Sequence, residues 1–259
     1  MATALIKGLV DAGTPRSEIV VIEPDAAQRK RLQESLGIEV WSPANERLGA
    51  AGVVVWAVKP QMLRQATLEC GPHLKDALHI SVAAGIRSTN LSVWLASNRV
   101  VRAMPNTSAL IGAGVTGLTA RPTVSKADRA KAERILSAVG YCFWVESDER
   151  LDAVTAVTGS GPAYVFHFLE GFQTAAEAIG FDESTARDLV LKTALGAVQQ
   201  AQSGEAFGAL RARVTSKKGT TEAAIAELDQ ANVHRSIAAA VSAAYDRAGQ
   251  LARELAAQR

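Results

Sequence analysis

Paired cysteines, clustered histidines, long apolar runs and a charge of one sign are all missing from this chain, and each absence narrows what it can be. The two cysteines, Cys70 and Cys142, sit in unrelated apolar contexts and read as reduced core thiols. That excludes a disulfide scaffold and makes the cytoplasm the expected compartment. The four histidines, His73, His79, His167 and His234, show no ligand spacing, so no metal site is expected. No apolar run approaches the roughly 18 residues of a spanning helix. The opening Met1-Ala-Thr-Ala-Leu-Ile-Lys7 has neither a basic leader nor a cleavage site, so no export signal is expected. A formal net charge of +2 gives no reason to expect nucleic acid or a membrane surface as partner. Repeats and low-complexity segments are absent. One further absence is more pointed: no Gly-x-Gly-x-x-Gly lies between a strand and a helix. Gly112-Ala-Gly114 precedes a strand, and Gly159-Ser-Gly161 belongs to the helical half.

What is present is an ordinary soluble composition, 48% apolar and 21% charged over 259 residues, enough to bury one large core or two modest ones. The first half alternates. Helices are expected over 2–12, 26–36, 61–70, 90–95 and 126–139. Strands are expected over 18–23, 38–41, 52–58, 79–83, 99–103, 114–119 and 141–145. Continuous apolar strands such as Gly52–Val58 suit a buried parallel sheet, and their alternation with helices implies a doubly wound one. From about residue 149 no strand is expected. Ala-rich amphipathic helices follow over 163–179, 182–202, 208–213, 222–231 and 233–256. We therefore expect a dinucleotide-binding domain over 1–148 and an all-helical domain over 149–259. The small size and Ala-rich faces of the second suggest helices packing against another copy.

Four places can carry chemistry. In Val214-Thr-Ser-Lys-Lys-Gly-Thr-Thr221, hydroxyls crowd a short turn just before the helix-forming run from Glu222. A helix N-terminus presents unpaired N–H groups and partial positive charge, which suits a small carboxylate. The same residues also read as a plain helix start with a Thr/Glu capping pattern. Glu23 ends the first expected strand, 18–23, where an acidic residue commonly accepts from the adenosine ribose and repels a 2′-phosphate. With Asp25 it equally reads as a cap for the next helix, and Arg29 or Lys30 stands near enough to neutralise a phosphate. Val58-Lys59-Pro60 and Met104-Pro-Asn106-Thr107 both leave strands at the carboxyl edge, where ligands bind in such sheets. Pro60 also reads as a simple strand stop, and Asn106 as a turn residue after proline.

The 214–221 block resembles the signature of pyrroline-5-carboxylate reductases. Four other segments resemble the same family in the same order: Val55–Gln61, Ile80–Ile86, Val101–Thr107 with Gly112 and Gly114, and Ala156–Tyr164. The resemblance runs over nearly the whole chain. It implies a Rossmann-like sheet domain followed by a helical dimerisation domain, working as a homodimer or a larger ring. It implies hydride transfer from NADPH, or NADH, to the C=N carbon of 1-pyrroline-5-carboxylate, giving L-proline. By the same resemblance, Val58, Lys59 and Pro60 line the cofactor's ribose and phosphates, and Asn106 contacts the nicotinamide or its ribose. Ser216 and the backbone N–H groups around Gly219 and Thr220 hold the substrate carboxylate, and the Thr221 hydroxyl bonds the ring nitrogen. If the helices interlock, the turn of one subunit completes the other's site. Lys218 stands where the family usually has glycine, which questions a left-handed backbone there, and Ser108 replaces a usual proline.

The family's sheet begins with a strand and a Gly-x-Gly-x-Met-Ala turn, and Met1-Ala2 coincides with that Met-Ala. About a dozen upstream residues are therefore expected to be missing, enough for one strand and its turn. The expected consequences are a sheet with an open central slot, or one filled by a neighbouring chain, and weakened folding or cofactor binding. Two rival readings follow. One is a non-catalytic dimerising paralogue with a damaged cofactor site. The other is a β-hydroxyacid dehydrogenase, disfavoured because Ala163–Glu170 lacks the lysine that class uses as proton donor.

Overall fold

A computed structural model describes residues 1–257 of the chain. It opens with helix α1 (Ala2–Asp11), then β1 (Val20–Ile22), α2 (Ala26–Leu36) and β2 (Glu39–Trp41). The ends of α2 are fixed chemically. The Asp25 carboxylate accepts from the Gln28 N–H at 2.6 Å, and Gly37 closes the helix in the left-handed conformation, the standard start and stop signals. There follow β3 (Val53–Trp56), α3 (Pro60–Cys70), β4 (Leu78–Ser81), α4 (Ser88–Trp94), β5 (Val100–Met104), β6 (Gly114–Ala120), α5 (Lys126–Ser137) and β7 (Gly140–Trp144).

The strands form two pieces. β1 pairs with β2 in parallel, and β3-β4-β5-β6-β7 make a second sheet, so β1 and β3 each keep one edge without a ladder. All pairings are parallel except β5–β6, where Val101 faces Ala120 and Met104 faces Gly117 in antiparallel register. β4 and β5 are covered on both faces: Leu78, Ile80, Val100 and Val101 are fully buried. Helix α1 contributes to two cores at once. Leu5 joins the cluster of Leu78, Ile80, Val101 and Leu136, while the adjacent Ile6 joins Leu32, Ile38 and Val40. Successive residues on a helix point about 100° apart, which lets one helix seal both sheet pieces.

After β7 come α6 (Asp148–Val154), a π-turn (Thr155–Gly159) and α7 (Gly161–Ala178). Then follow α8 (Glu183–Ala201), α9 (Phe207–Arg213), α10 (Thr220–Gln230) and α11 (Val233–Ala257). The chain divides into two compact units, Met1–Pro162 with the chain from Ala244 onward, and Ala163–Ala243. The second is wholly helical among the described residues. Its helices bury little: Ala176, Ala186 and Val190 are covered, while Phe166, Phe168, Leu195, Val198 and Phe207 stand more than half exposed. No helix among the described residues is long and apolar enough to cross a membrane.

Three expectations need correction. α6 and the π-turn were not foreseen. β6 runs antiparallel to β5, because the stretch 105–113 is too short for the dozen or so residues of a parallel crossover. β1 spans three residues rather than six, a 3-10 turn over Arg16–Glu18 ending just before it.

Candidate functional site

The carboxyl ends of β1, β3 and β5 deliver Glu23, Val58-Lys59-Pro60 and Asn106. One Glu23 carboxylate oxygen accepts from the Asp25 N–H at 3.0 Å, and Asp25 itself caps α2. Arg29 folds back over the strand end, its Nη1 donating to the carbonyls of Glu23 at 2.9 Å and Pro24 at 2.7 Å. Lys30 pairs with Glu34 on the exposed face of α2 at 3.8 Å. Both cations raised as phosphate neutralisers therefore have partners within the chain. Lys59 is exposed, makes no ion pair among the described residues, and directly precedes the N-terminus of α3, whose first residue is Pro60. That proline's missing N–H removes one donor the helix start would leave open anyway.

Asn106 is 8% exposed and both ends of its amide are engaged: Oδ1 accepts from the Val115 N–H at 3.1 Å, and Nδ2 donates to the Thr158 carbonyl at 3.0 Å. The partners leave one orientation, since an N–H needs the oxygen and a carbonyl needs the NH2.

Behind this edge lies a charge network. Arg102, buried on β5, donates to Asp148 at 2.7 Å and lies 3.9 Å from Asp152, while Arg87 reaches Asp152 at 2.8 Å. Asp148 also accepts from the Ser88 N–H and hydroxyl. Burial pushes the Asp148 carboxyl up, but the Arg102 guanidinium and the Ser88 donors outweigh it and leave it below the usual range. For Asp152 burial wins over Arg87 and Arg102, and its carboxyl lies above the usual range. These pairs fix α6 against β5, and sequence inspection missed them because the partners lie far apart in the chain. His79, on β4, accepts from the Trp56 indole N–H at 3.4 Å. Burial and then Arg99 push its imidazole down to about 4, so it is neutral at physiological pH. Among the described residues no cluster of His, Cys, Asp and Glu could hold a metal ion.

In the helical unit, the turn before α10 is built from chain-specific geometry. Lys218 takes the left-handed conformation at φ 58°, with its N–H donating to the Glu222 carboxylate at 2.7 Å. Gly219 sits at φ −92°, an ordinary backbone conformation, and a Cβ there would crowd the Ser216 hydroxyl and make it turn away. No side chain caps the start of α10. Among the described residues the hydroxyls of Ser216, Thr220 and Thr221 have no hydrogen-bond partner, whereas the Thr215 hydroxyl is spent on the Arg211 carbonyl at 2.7 Å. The turn is thus an open anion-receptive N-terminus with three free hydroxyls.

The family profile described as pyrroline-5-carboxylate reductase dimerisation matches residues 148–251. A second, described as NADP oxidoreductase coenzyme F420-dependent, matches residues 1–85. A pyrroline-5-carboxylate reductase from Pseudomonas aeruginosa is 43% identical over 258 residues, spanning 98% of this chain and 94% of its own. The chain belongs to the pyrroline-5-carboxylate reductase family. A solved reductase of that name from Coxiella burnetii superposes with a TM-score of 0.89 at 36% identity, over 96% of this chain and 94% of that one. The Plasmodium falciparum pyrroline carboxylate reductase, solved with NADP bound, shares the fold with a TM-score of 0.85 at 24% identity, over 96% and 94%. The family places a Rossmann-like, NADP-type binding domain before a helical dimerisation domain.

Proposed function

We propose that this chain reduces 1-pyrroline-5-carboxylate to L-proline, the last step of proline synthesis. The observation that carries it is the open start of α10, with free hydroxyls at Ser216, Thr220 and Thr221 in a chain of this family. The substrate is a small cyclic imine bearing one carboxylate. Ser216 and the N–H groups of Gly219 and Thr220 hold the carboxylate, and the Thr221 hydroxyl bonds the ring nitrogen and sets the face that reacts. A cyclic imine takes up a proton readily, so the protein's task is positioning rather than acid catalysis. The side chains agree: His79 is committed to Trp56 and held neutral, and α7 contains no lysine, which counts against a β-hydroxyacid dehydrogenase.

The residues at the carboxyl edge fit a nicotinamide dinucleotide. Lys59 is a free cation for phosphate, and Glu23 keeps one carboxylate oxygen for a ribose hydroxyl. Val58 and Pro60 flank that lysine, and Asn106 stands where the nicotinamide half would lie. Bound NADPH, or NADH, supplies the hydride. In this reading residues 1–148 hold the cofactor and 149–259 hold the substrate and the partner subunit. The protein works in the cytoplasm as a homodimer or a larger ring of dimers.

The test is the rate at which reduced nicotinamide is consumed on adding pyrroline-5-carboxylate to the purified protein, with proline measured as product. Turnover with either cofactor is expected. A protein that neither binds nor oxidises NADPH would sink this reading.

A further inference from the structure

Thr158 and Pro162 stand four residues apart, the spacing at which an α-helical carbonyl meets its N–H donor. Pro162 has no N–H, and its ring crowds the carbonyl four residues before it. The chain answers with a π-turn over Thr155–Gly159, closed by the Ser160 N–H on the Thr155 carbonyl at 2.9 Å. Two threonines add local support: the Thr155 hydroxyl donates to the Leu151 carbonyl and the Thr158 hydroxyl to the Val154 carbonyl, both at 3.0 Å. π-turns of this kind recur at functional sites. The donor that reaches the Thr158 carbonyl here comes from outside the helix, from Asn106 Nδ2.

The other end of the same amide does comparable work. The β5–β6 ladder ends at Met104 opposite Gly117. Val115 lies past that end, and its N–H goes to Asn106 Oδ1. One buried side chain thus satisfies a donor beyond the end of a ladder and an acceptor at a proline break. Packing repeats the link: a Cβ at Gly159 would lie 3.0 Å from the Met104 terminal methyl, closer than such contacts normally come. The loop leaving β5 is therefore bound to the π-turn both through Met104 and through Asn106.

We propose that Asn106 is a positioning residue that locks the loop after β5 onto the π-turn, its amide standing in for the N–H that Pro162 cannot offer Thr158. The proposal rests on the reading that this loop lies beneath the nicotinamide, and it assigns Asn106 an action through the backbone rather than on the reacting atoms. Freed from the clamp, the loop presents the nicotinamide in a wider range of poses. Turnover then falls more than affinity, because a small misplacement costs the reacting geometry before it costs binding.

Asn106→Asp keeps an acceptor for Val115 and removes the donor for Thr158. Pro162→Ala restores a helical N–H to Thr158. The expected results are a fall in kcat of about 10-fold or more for Asn106→Asp, with the NADPH dissociation constant changed less than about threefold, and recovery to within about threefold of the parent in the double variant. Pro162→Ala alone should stay close to the parent. A double variant that melts like the parent yet turns over no faster than Asn106→Asp would overturn the proposal. Melting temperatures read the clamp separately. If the parent protein does not reduce pyrroline-5-carboxylate, the functional reading fails, while rescue of the Asn106→Asp melting temperature by Pro162→Ala still supports the clamp. A double variant that folds no better than the single one overturns it.

Discussion

Thr221 presents its hydroxyl without a partner among the described residues, so removing that oxygen should unbalance catalysis and little else. Thr221→Ala is expected to lower turnover roughly 3- to 100-fold, depending on the charge of the ring nitrogen, with the NADPH dissociation constant unchanged. Thr221→Ser should keep most of the rate. Steady-state kinetics of both variants check this, and parental turnover in Thr221→Ala would return the turn to a plain helix start. Lys218 offers a second test. A non-glycine residue in the left-handed region is strained by about 1–2 kcal/mol, while glycine costs about 0.5–1 kcal/mol in chain entropy. Lys218→Gly should therefore raise the melting temperature slightly. The resemblance that questioned a left-handed backbone at this position is answered by Glu222, whose carboxylate holds the Lys218 N–H; that side-chain bond is invisible in a motif comparison. Asn106 makes the same point. Sequence and resemblance locate it at the right edge, but its bond to Thr158 joins residues 52 apart in the chain, and only Pro162 hinted that Thr158 would need a donor.

At the scale of elements, legibility followed how local the cause was. α2 was expected over 26–36 and lies there, because its cap and its glycine stop are both neighbours in sequence. α6 was missed, because it is short and its placement comes from Arg102 on β5 holding Asp148 and Asp152. Arg102→Ala should leave the buried Asp148 carboxylate without its cation, while Asp152 keeps Arg87, at a cost of about 3–5 kcal/mol. Chemical denaturation measures it, and a loss under about 1 kcal/mol would show that α6 is held by packing alone. His79 ties β4 to β3 through Trp56 and adds a pH dependence. Its folded value of about 4 lies below the ordinary 6.5, so the unfolded chain binds the extra proton first. The stability it contributes is full above pH 6.5, fades as pH falls, and is gone below about 4. Taken over the whole shift this amounts to about 3 kcal/mol, and His79→Gln should flatten the profile across that window.

At the scale of the whole molecule, α7 and α8 leave several large apolar side chains uncovered, Phe166 66% and Leu195 58% exposed among them, which marks these helices as candidates for contact with a second copy. Light scattering should find dimers or multiples of them, and Leu195→Asp should shift the population toward monomer without unfolding the sheet unit. A parent protein that is monomeric at micromolar concentration would refute this. The switch from alternating elements to helices alone was legible near residue 149, since it needs only the period of the apolar residues. The return of α11 beyond Ala244 to the first unit was not, because nothing in an amphipathic helix says which core its far end will join.

The absence of a ladder between β1 and β3 also has a kinetic side. Hydrogen bonding transmits cooperativity across a sheet strand by strand, and here that transmission stops at β3. The segment from β1 to β2 shares packing with α1 through Ile6, while β4 and β5 are enclosed on both flanks and both faces. Such a molecule opens in stages. Amides of Val20–Trp41 should exchange with solvent deuterium through a low-energy partial opening, whereas those of Leu78–Ser81 and Val100–Met104 should wait for global unfolding. The adenosine-side part of the proposed cofactor edge, at Glu23, lies within the first group. Cofactor binding should therefore slow exchange there well before it changes anything at the slow centre of the sheet.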